Sequence, residues 1–110
     1  MDRLNDYRTC ICQFLQKYHE ILQEQSLETQ LILDRERDHY LILKTGWDGE
    51  QRIYYPVFHF DIKDDKIWIQ ENKTDVEIDR QFSEMGIAKA EIVIGFHHPA
   101  LREYSDFAIA

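Results

Sequence analysis

The strongest hint of chemistry in the sequence is Asp61 upstream of the triplet Glu71-Asn72-Lys73. An acidic residue ahead of Glu-x-Lys resembles the strand pair with which many nucleases hold Mg²⁺, and that chemistry needs both carboxylates on one ion. A second constellation is His59 with Asp61 and the loop His97-His98-Pro99, where imidazole and carboxylate would converge on a metal. Two adjacent histidines without an i, i+4 helical pair or a fixed strand spacing are a weak version of that pattern. The simpler reading is that His59 packs on a sheet face and the histidine pair caps a turn. A third set, Arg35, Arg37, Lys44 and Arg52, would serve DNA phosphates only if it formed one patch. Cys10 falls inside a helical apolar stripe with nothing to activate it, and no Gly-rich phosphate loop, nucleophile elbow or Ser/His/Asp arrangement occurs.

What must position these residues is readable in the spacing of apolar side chains. Leu4, Tyr7, Ile11, Phe14, Tyr18 and Ile21 recur at intervals of three and four, broadened by Leu15 and Leu22, and predict a helix from about Asp2 to Gln25 with Asp2 as N-cap. Four strands follow: Thr29–Arg35, His39–Thr45, about Arg52–Asp61 and Lys66–Glu71. The charged tip Glu36-Arg37-Asp38 separates the first two, and Asp48-Gly49 and Asp64-Asp65 mark the next two turns as hairpins. The stretch Asp34–His39 reads as a solvated hairpin end, since mixed charges at a tight turn contribute little individually. The topology is an antiparallel meander, and the fold class is α+β, with one domain over residues 1–110.

With Asp64-Asp65 as the loop, Ile62 faces Ile67, Phe60 faces Ile69 and Phe58 faces Glu71. With Asp48-Gly49 as the loop, Leu43 pairs with Tyr54. One face then carries Leu41, Leu43, Tyr54, Phe58, Phe60, Ile62, Ile67 and Ile69, and the long helix is its natural cover. The other face carries Tyr40, Ile42, Ile53, Tyr55, Val57, His59 and Trp68. It is largely apolar too, which suits either intramolecular cover or an interface anchored by aromatic residues. Tyr40, Ile42, Tyr55, Val57, His59 and Trp68 are therefore the candidate interface residues. The same register sets Asp61 opposite Trp68, on the other face from Glu71 and roughly 10 Å along the strand, which argues against a shared Mg²⁺.

A second helix is predicted from the capping box Thr74-Asp75-Val76-Glu77, with Ile78, Phe82 and Met85 as its stripe and Gly86 as its stop. Between Ile87 and Ala110, the run Glu91–Phe96 fits either a short helix or a buried strand, and Pro99 breaks what precedes it.

At 110 residues the chain has room for one hydrophobic core without a disulfide or metal staple. It holds 13 basic against 21 acidic residues, a net charge of −8, so DNA would repel it at long range unless the basic residues share a surface. Cys10 and Cys12, two apart, cannot pair within a helix, and no further cysteines complete a zinc site. Reduced thiols, no apolar signal core at Met1–Asp6 and no apolar run of ~20 residues lead to the expectation of a cytoplasmic, membrane-free protein.

Several motifs taken together are similar to a known family. Gly46-Trp47-Asp48-Gly49, Tyr54 and the run Val57-Phe58-His59-Phe60-Asp61-Ile62-Lys63-Asp64-Asp65-Lys66-Ile67-Trp68-Ile69-Gln70 closely resemble the XisI family. So do Ile92-Val93-Ile94-Gly95-Phe96-His97-His98-Pro99 with Arg102, Tyr104 and Phe107-Ala108, the opening Met1-Asp2-Arg3-Leu4 and the tip Glu36-Arg37-Asp38-His39-Tyr40. The resemblance spans essentially the whole chain. It implies a controlling factor for excision of the fdxN DNA element of heterocyst-forming cyanobacteria, acting beside a site-specific recombinase and an XisH-like protein. It implies an accessory protein rather than an enzyme, with no catalytic, cofactor or metal residues to carry over. Its partner would be the XisH-like protein; the second apolar face also suits a second copy of the chain, and direct DNA contact is left open.

Overall fold

The computed structural model describes residues 3–110, so the expected N-cap Asp2 lies outside the described residues. Helix α1 (Arg3–Glu24) is followed by β1 (Thr29–Asp34), β2 (His39–Asp48), β3 (Gln51–Lys63) and β4 (Lys66–Asn72), then by α2 (Ile78–Glu84) and a short β5 (Ile92–Ile94). Short 3₁₀ turns occupy Lys89–Glu91 and Pro99–Tyr104. The strands form one sheet in chain order, antiparallel from β1 to β4. β5 adds a fifth strand beside β4, parallel to it, with Ile67, Trp68 and Ile69 opposite Ile92, Val93 and Ile94. The ambiguous stretch after Ile87 is thus a buried strand, where sequence alone left helix and strand open.

The stripe on α1 does what its spacing predicts. Tyr7, Ile11, Phe14 and Leu15 are buried, with Leu4, Tyr18 and Leu22 packed at the margins. Phe14 is the hub. Its ring meets Phe58, Phe60 and Phe82 edge-on at 5.2, 5.7 and 5.4 Å, so α1, β3 and α2 share one aromatic cluster on one face of the sheet. Edge-to-face pairs of this kind add to the burial of the rings themselves.

Turn chemistry explains the hairpins. Asp64 and Asp65 both take positive φ, +53° and +62°, and close the two-residue loop between Lys63 and Lys66. Aspartate tolerates that left-handed region because its short side chain can bond locally. At the β2–β3 turn the loop is Gly49-Glu50, since Asp48 pairs with Gln51, and only Gly49 (φ +61°) is left-handed.

Two register steps then change which residues share a face. Ile42 pairs with Phe58 but Leu43 with Pro56, leaving Val57 as an extra residue in β3. Phe60 pairs with Ile69 but His59 with Glu71, leaving Gln70 as an extra residue in β4. A one-residue bulge reverses the alternation beyond it. Tyr40 and Ile42 therefore sit opposite Phe60 and Phe58 in the helix-covered core, each 0% exposed, and Val57 also joins that core. These three of the six expected interface residues are core residues instead. Leu41 and Leu43, expected in the core, lie on the other face and are half-buried.

The second helix starts later than its capping box suggests. Asn72 Oδ1 accepts from both the Thr74 amide and hydroxyl, and Thr74 Oγ1 accepts from the Val76 amide, so these residues build a turn. The helix begins at Ile78 after Glu77, which makes no side-chain cap, and Met85 caps its far end half-exposed rather than extending the stripe.

Candidate functional site

The bulges assemble a polar cluster on the sheet face away from the helices. A cross-strand row runs Asp34, His39, Asp61, Trp68, Val93 from β1 to β5, and the next row runs Ile32, Leu41, His59, Glu71. Residues directly opposite on neighbouring strands point the same way, as do residues two apart on one strand. His39 and His59 are therefore the cross-strand and same-strand neighbours of Asp61. His39 Nδ1 lies 2.8 Å and His59 Nε2 3.0 Å from the same oxygen, Asp61 Oδ1. The bulged Gln70 donates from Nε2 to the other oxygen, Oδ2, at 3.1 Å.

The Asp61 side chain is 16% exposed, against 54% for His39 and 32% for His59. Burial alone pushes its carboxyl upward, but the hydrogen bonds from His39, His59 and Gln70 together hold it below the ordinary carboxylate range. An ionised carboxylate only accepts, so each ring nitrogen that faces it carries a proton.

Gly95, the residue after β5, supports the cluster. A Cβ there would come within 2.6 Å of Gln70 Oε1 and 3.1 Å of the Ile69 carbonyl. Only a residue without a side chain lets β5 approach β4 while Gln70 turns toward Asp61. Beside the cluster, Trp68 is buried beneath two cations. Lys63 Nζ stands 4.1 Å and the Arg102 guanidinium 5.1 Å from its ring centre, and its indole N–H donates to the Lys63 carbonyl.

The remaining expected site residues are placed elsewhere. Glu71 faces His59 and so lies on the Asp61 side of the sheet, contrary to the expected opposite faces. Its carboxylate nevertheless turns to the Asn72 amide and to Lys73, 3.7 Å away, and does not join the convergent group. His98 Nδ1 accepts from the Ala100 amide and caps the turn after Pro99, while the His97 ring packs on Phe96. Arg37 pairs with Asp34 at one end of β2, and Arg52 lies over Trp47 at the other, a strand of ten residues or roughly 30 Å apart. The four basic residues form no single patch. Tyr55 is exposed and, opposite Lys44, lies on the helix side of the sheet beyond the bulge at Val57.

Cys10 and Cys12 are buried free thiols. Burial pushes Cys10 up to about 12 and Cys12 upward as well, which leaves both protonated and unreactive near neutrality. The residue that sequence reading missed is His39. The i, i+2 spacing of His59 and Asp61 was visible, but His39 reaches them only through the bulged register.

Comparison with known proteins decides the lineage. The family model described as XisI protein matches residues 1–109. The chain belongs to the XisI family. A crystal structure of the fdxN element excision controlling factor XisI from Anabaena variabilis ATCC 29413 is similar to it at 37% identity and a TM-score of 0.89, covering 99% of this chain and 100% of that one. A XisI-like protein from the same organism matches at 38% identity and a TM-score of 0.71, covering 91% and 99%. No curated protein matches the chain. The α+β architecture described above is the XisI fold. Among the described residues, no helix is long and apolar enough to cross a membrane.

Proposed function

We propose that this XisI-family chain is a non-catalytic accessory factor in the excision of a DNA element, working in the cytoplasm through contact with an XisH-like protein. The observation that carries this reading is the end-to-end similarity, at 37% identity, to a protein named as an excision controlling factor. Its physical counterpart is the sheet face away from the helices, where Ile32 and Tyr54 are exposed and Leu41 and Leu43 half-buried. Apolar side chains that stay partly wet on an otherwise acidic protein are suited to docking, and the charge of −8 favours a protein partner over bare DNA.

Size-exclusion chromatography of the purified chain mixed with an XisH-like protein encoded beside it tests the reading. One peak containing both proteins is expected, and it should split when Leu41 is replaced by Arg. Separate elution of the two native proteins overturns it. The chain run alone shows whether a second copy occupies the same face.

A further inference from the structure

We propose that His39, His59 and Asp61 form a binding site for a divalent first-row transition ion such as Zn²⁺, ligated by His39 Nδ1, His59 Nε2 and Asp61 Oδ1. This inference stands on geometry and is independent of the excision reading.

The three donor atoms all lie within 4.8 Å of one another. Both ring nitrogens converge on one oxygen, at 2.8 and 3.0 Å, rather than taking one carboxylate oxygen each. Metal bonds of about 2.0–2.1 Å, at angles between octahedral and tetrahedral, put neighbouring ligand atoms about 2.8–3.4 Å apart. Both edges to Asp61 Oδ1 already nearly match that spacing, and the edge between the two ring nitrogens, within 4.8 Å, closes by rotation of the rings.

The second oxygen is fixed from outside the triad. Gln70 donates to Oδ2, which leaves Oδ1 free to bind in one mode, and Gly95 provides the space that Gln70 occupies. Outer partners of this kind orient metal ligands and raise their affinity.

Proton balance is simple. Each neutral imidazole binds the ion through the nitrogen that now faces Asp61 and moves its proton to the other ring nitrogen, so no acid or base need be added. Two imidazoles and one carboxylate select transition ions over Mg²⁺ and Ca²⁺, which favour all-oxygen sites. Three protein ligands leave further positions open, and the exposed side of His39 is where water completes the sphere.

The test is calorimetric titration of Zn²⁺ into the metal-stripped, tag-free full chain, repeated with Co²⁺ while following its visible absorption. One ion per chain is expected, with affinity falling as the solution is acidified because protons compete for the imidazoles. His39→Ala, His59→Ala and Asp61→Asn should each weaken binding at least tenfold. Gln70→Ala should weaken it by roughly tenfold, and His98→Ala should leave it unchanged. Excess Zn²⁺ should raise the melting temperature of the native chain but not of His59→Ala. Circular dichroism identifies any variant that fails to fold, and His39→Ala, at the most exposed position, is the one that decides. Native-like Zn²⁺ affinity in folded His39→Ala, or no saturable binding by the native chain, overturns the proposal.

Discussion

Both faces of the sheet carry rings, and they differ in what those rings are for. Under the helices, Phe14, Phe58, Phe60 and Phe82 pack on one another with no polar atom to satisfy, and shape alone decides the arrangement. On the far side, Trp68 lies beneath Lys63 and Arg102, and two histidines converge on a carboxylate. One face contributes stability by excluding water. The other holds charged and titratable groups whose partners are specific and directional. The contrast shows why the family fold tolerates a polar cluster at all: the covered face already supplies the core.

Substitutions that delete packing on the covered face should have the largest effect. Phe60→Ala removes a ring in contact with Phe14, Phe58 and Phe82, and denaturant unfolding should show a loss of about 3–5 kcal/mol. A loss below about 1 kcal/mol would mean the two faces are less unequal than their burial implies. Gly95→Ala comes next, because its new Cβ meets Gln70 and the Ile69 carbonyl where β5 joins the sheet. Thermal melting should report about 1–3 kcal/mol of destabilisation from that overpacking.

The seam between cover and sheet sets the third effect. Arg3 reaches both carboxylate oxygens of Glu91, at 2.7 and 2.6 Å, and Tyr7 and the Ala88 amide donate to the same group. Hydrogen bonding from Arg3, opposed by burial, holds the Glu91 carboxyl down from 4.5 to about 2. Because the folded value is the lower one, this contribution is present above pH 4.5 and fades as pH falls toward 2. Glu91→Gln should cost about 1–2 kcal/mol near neutrality after allowing for solvent screening of the half-exposed Arg3. The gap between variant and native chain should close in acid, as chemical denaturation across that pH range would reveal; a constant gap would assign the effect to packing. The smallest effect belongs to the far face. His59→Ala should change stability by less than about 1 kcal/mol, measured by the same melts, since its ring stays partly in water.

Much of this contrast could be read in the residues, and most of the part that could not traces to two bulges. The helix stripe from Leu4 to Tyr18, the Asp64-Asp65 turn and the pairing of Phe60 with Ile69 follow from spacing and turn preference. Spacing alone puts Tyr40 and Ile42 on the wrong face, because a bulge at Val57 leaves no mark in composition yet reverses the alternation on one side of it. The same kind of step at Gln70 brought Glu71 to the side of Asp61 and hid Gln70 as its partner. His39 was likewise invisible as a neighbour, since cross-strand contact depends on register and not on its own sequence context. β5, at three residues, is too short to show a period, and the Thr74 hydroxyl is taken up in a turn with Asn72 and Val76 ahead of the helix.

The parallel docking of β5 on β4 also has a consequence in time. Neighbouring strands of the meander find one another through short loops, but Ile92 must cross all of α2 to reach Ile67, and closing such a loop slows pairing. As a chain grows from its N-terminus, β1 to β4 are available first, and β4 waits with Ile67 and Ile69 along an unsealed margin. That interval is when the nascent protein is most open to strand pairing with a neighbour. Pulse-labelled hydrogen exchange during refolding should therefore find the Gly95 amide, which donates to the Ile69 carbonyl, protected later than amides in β3.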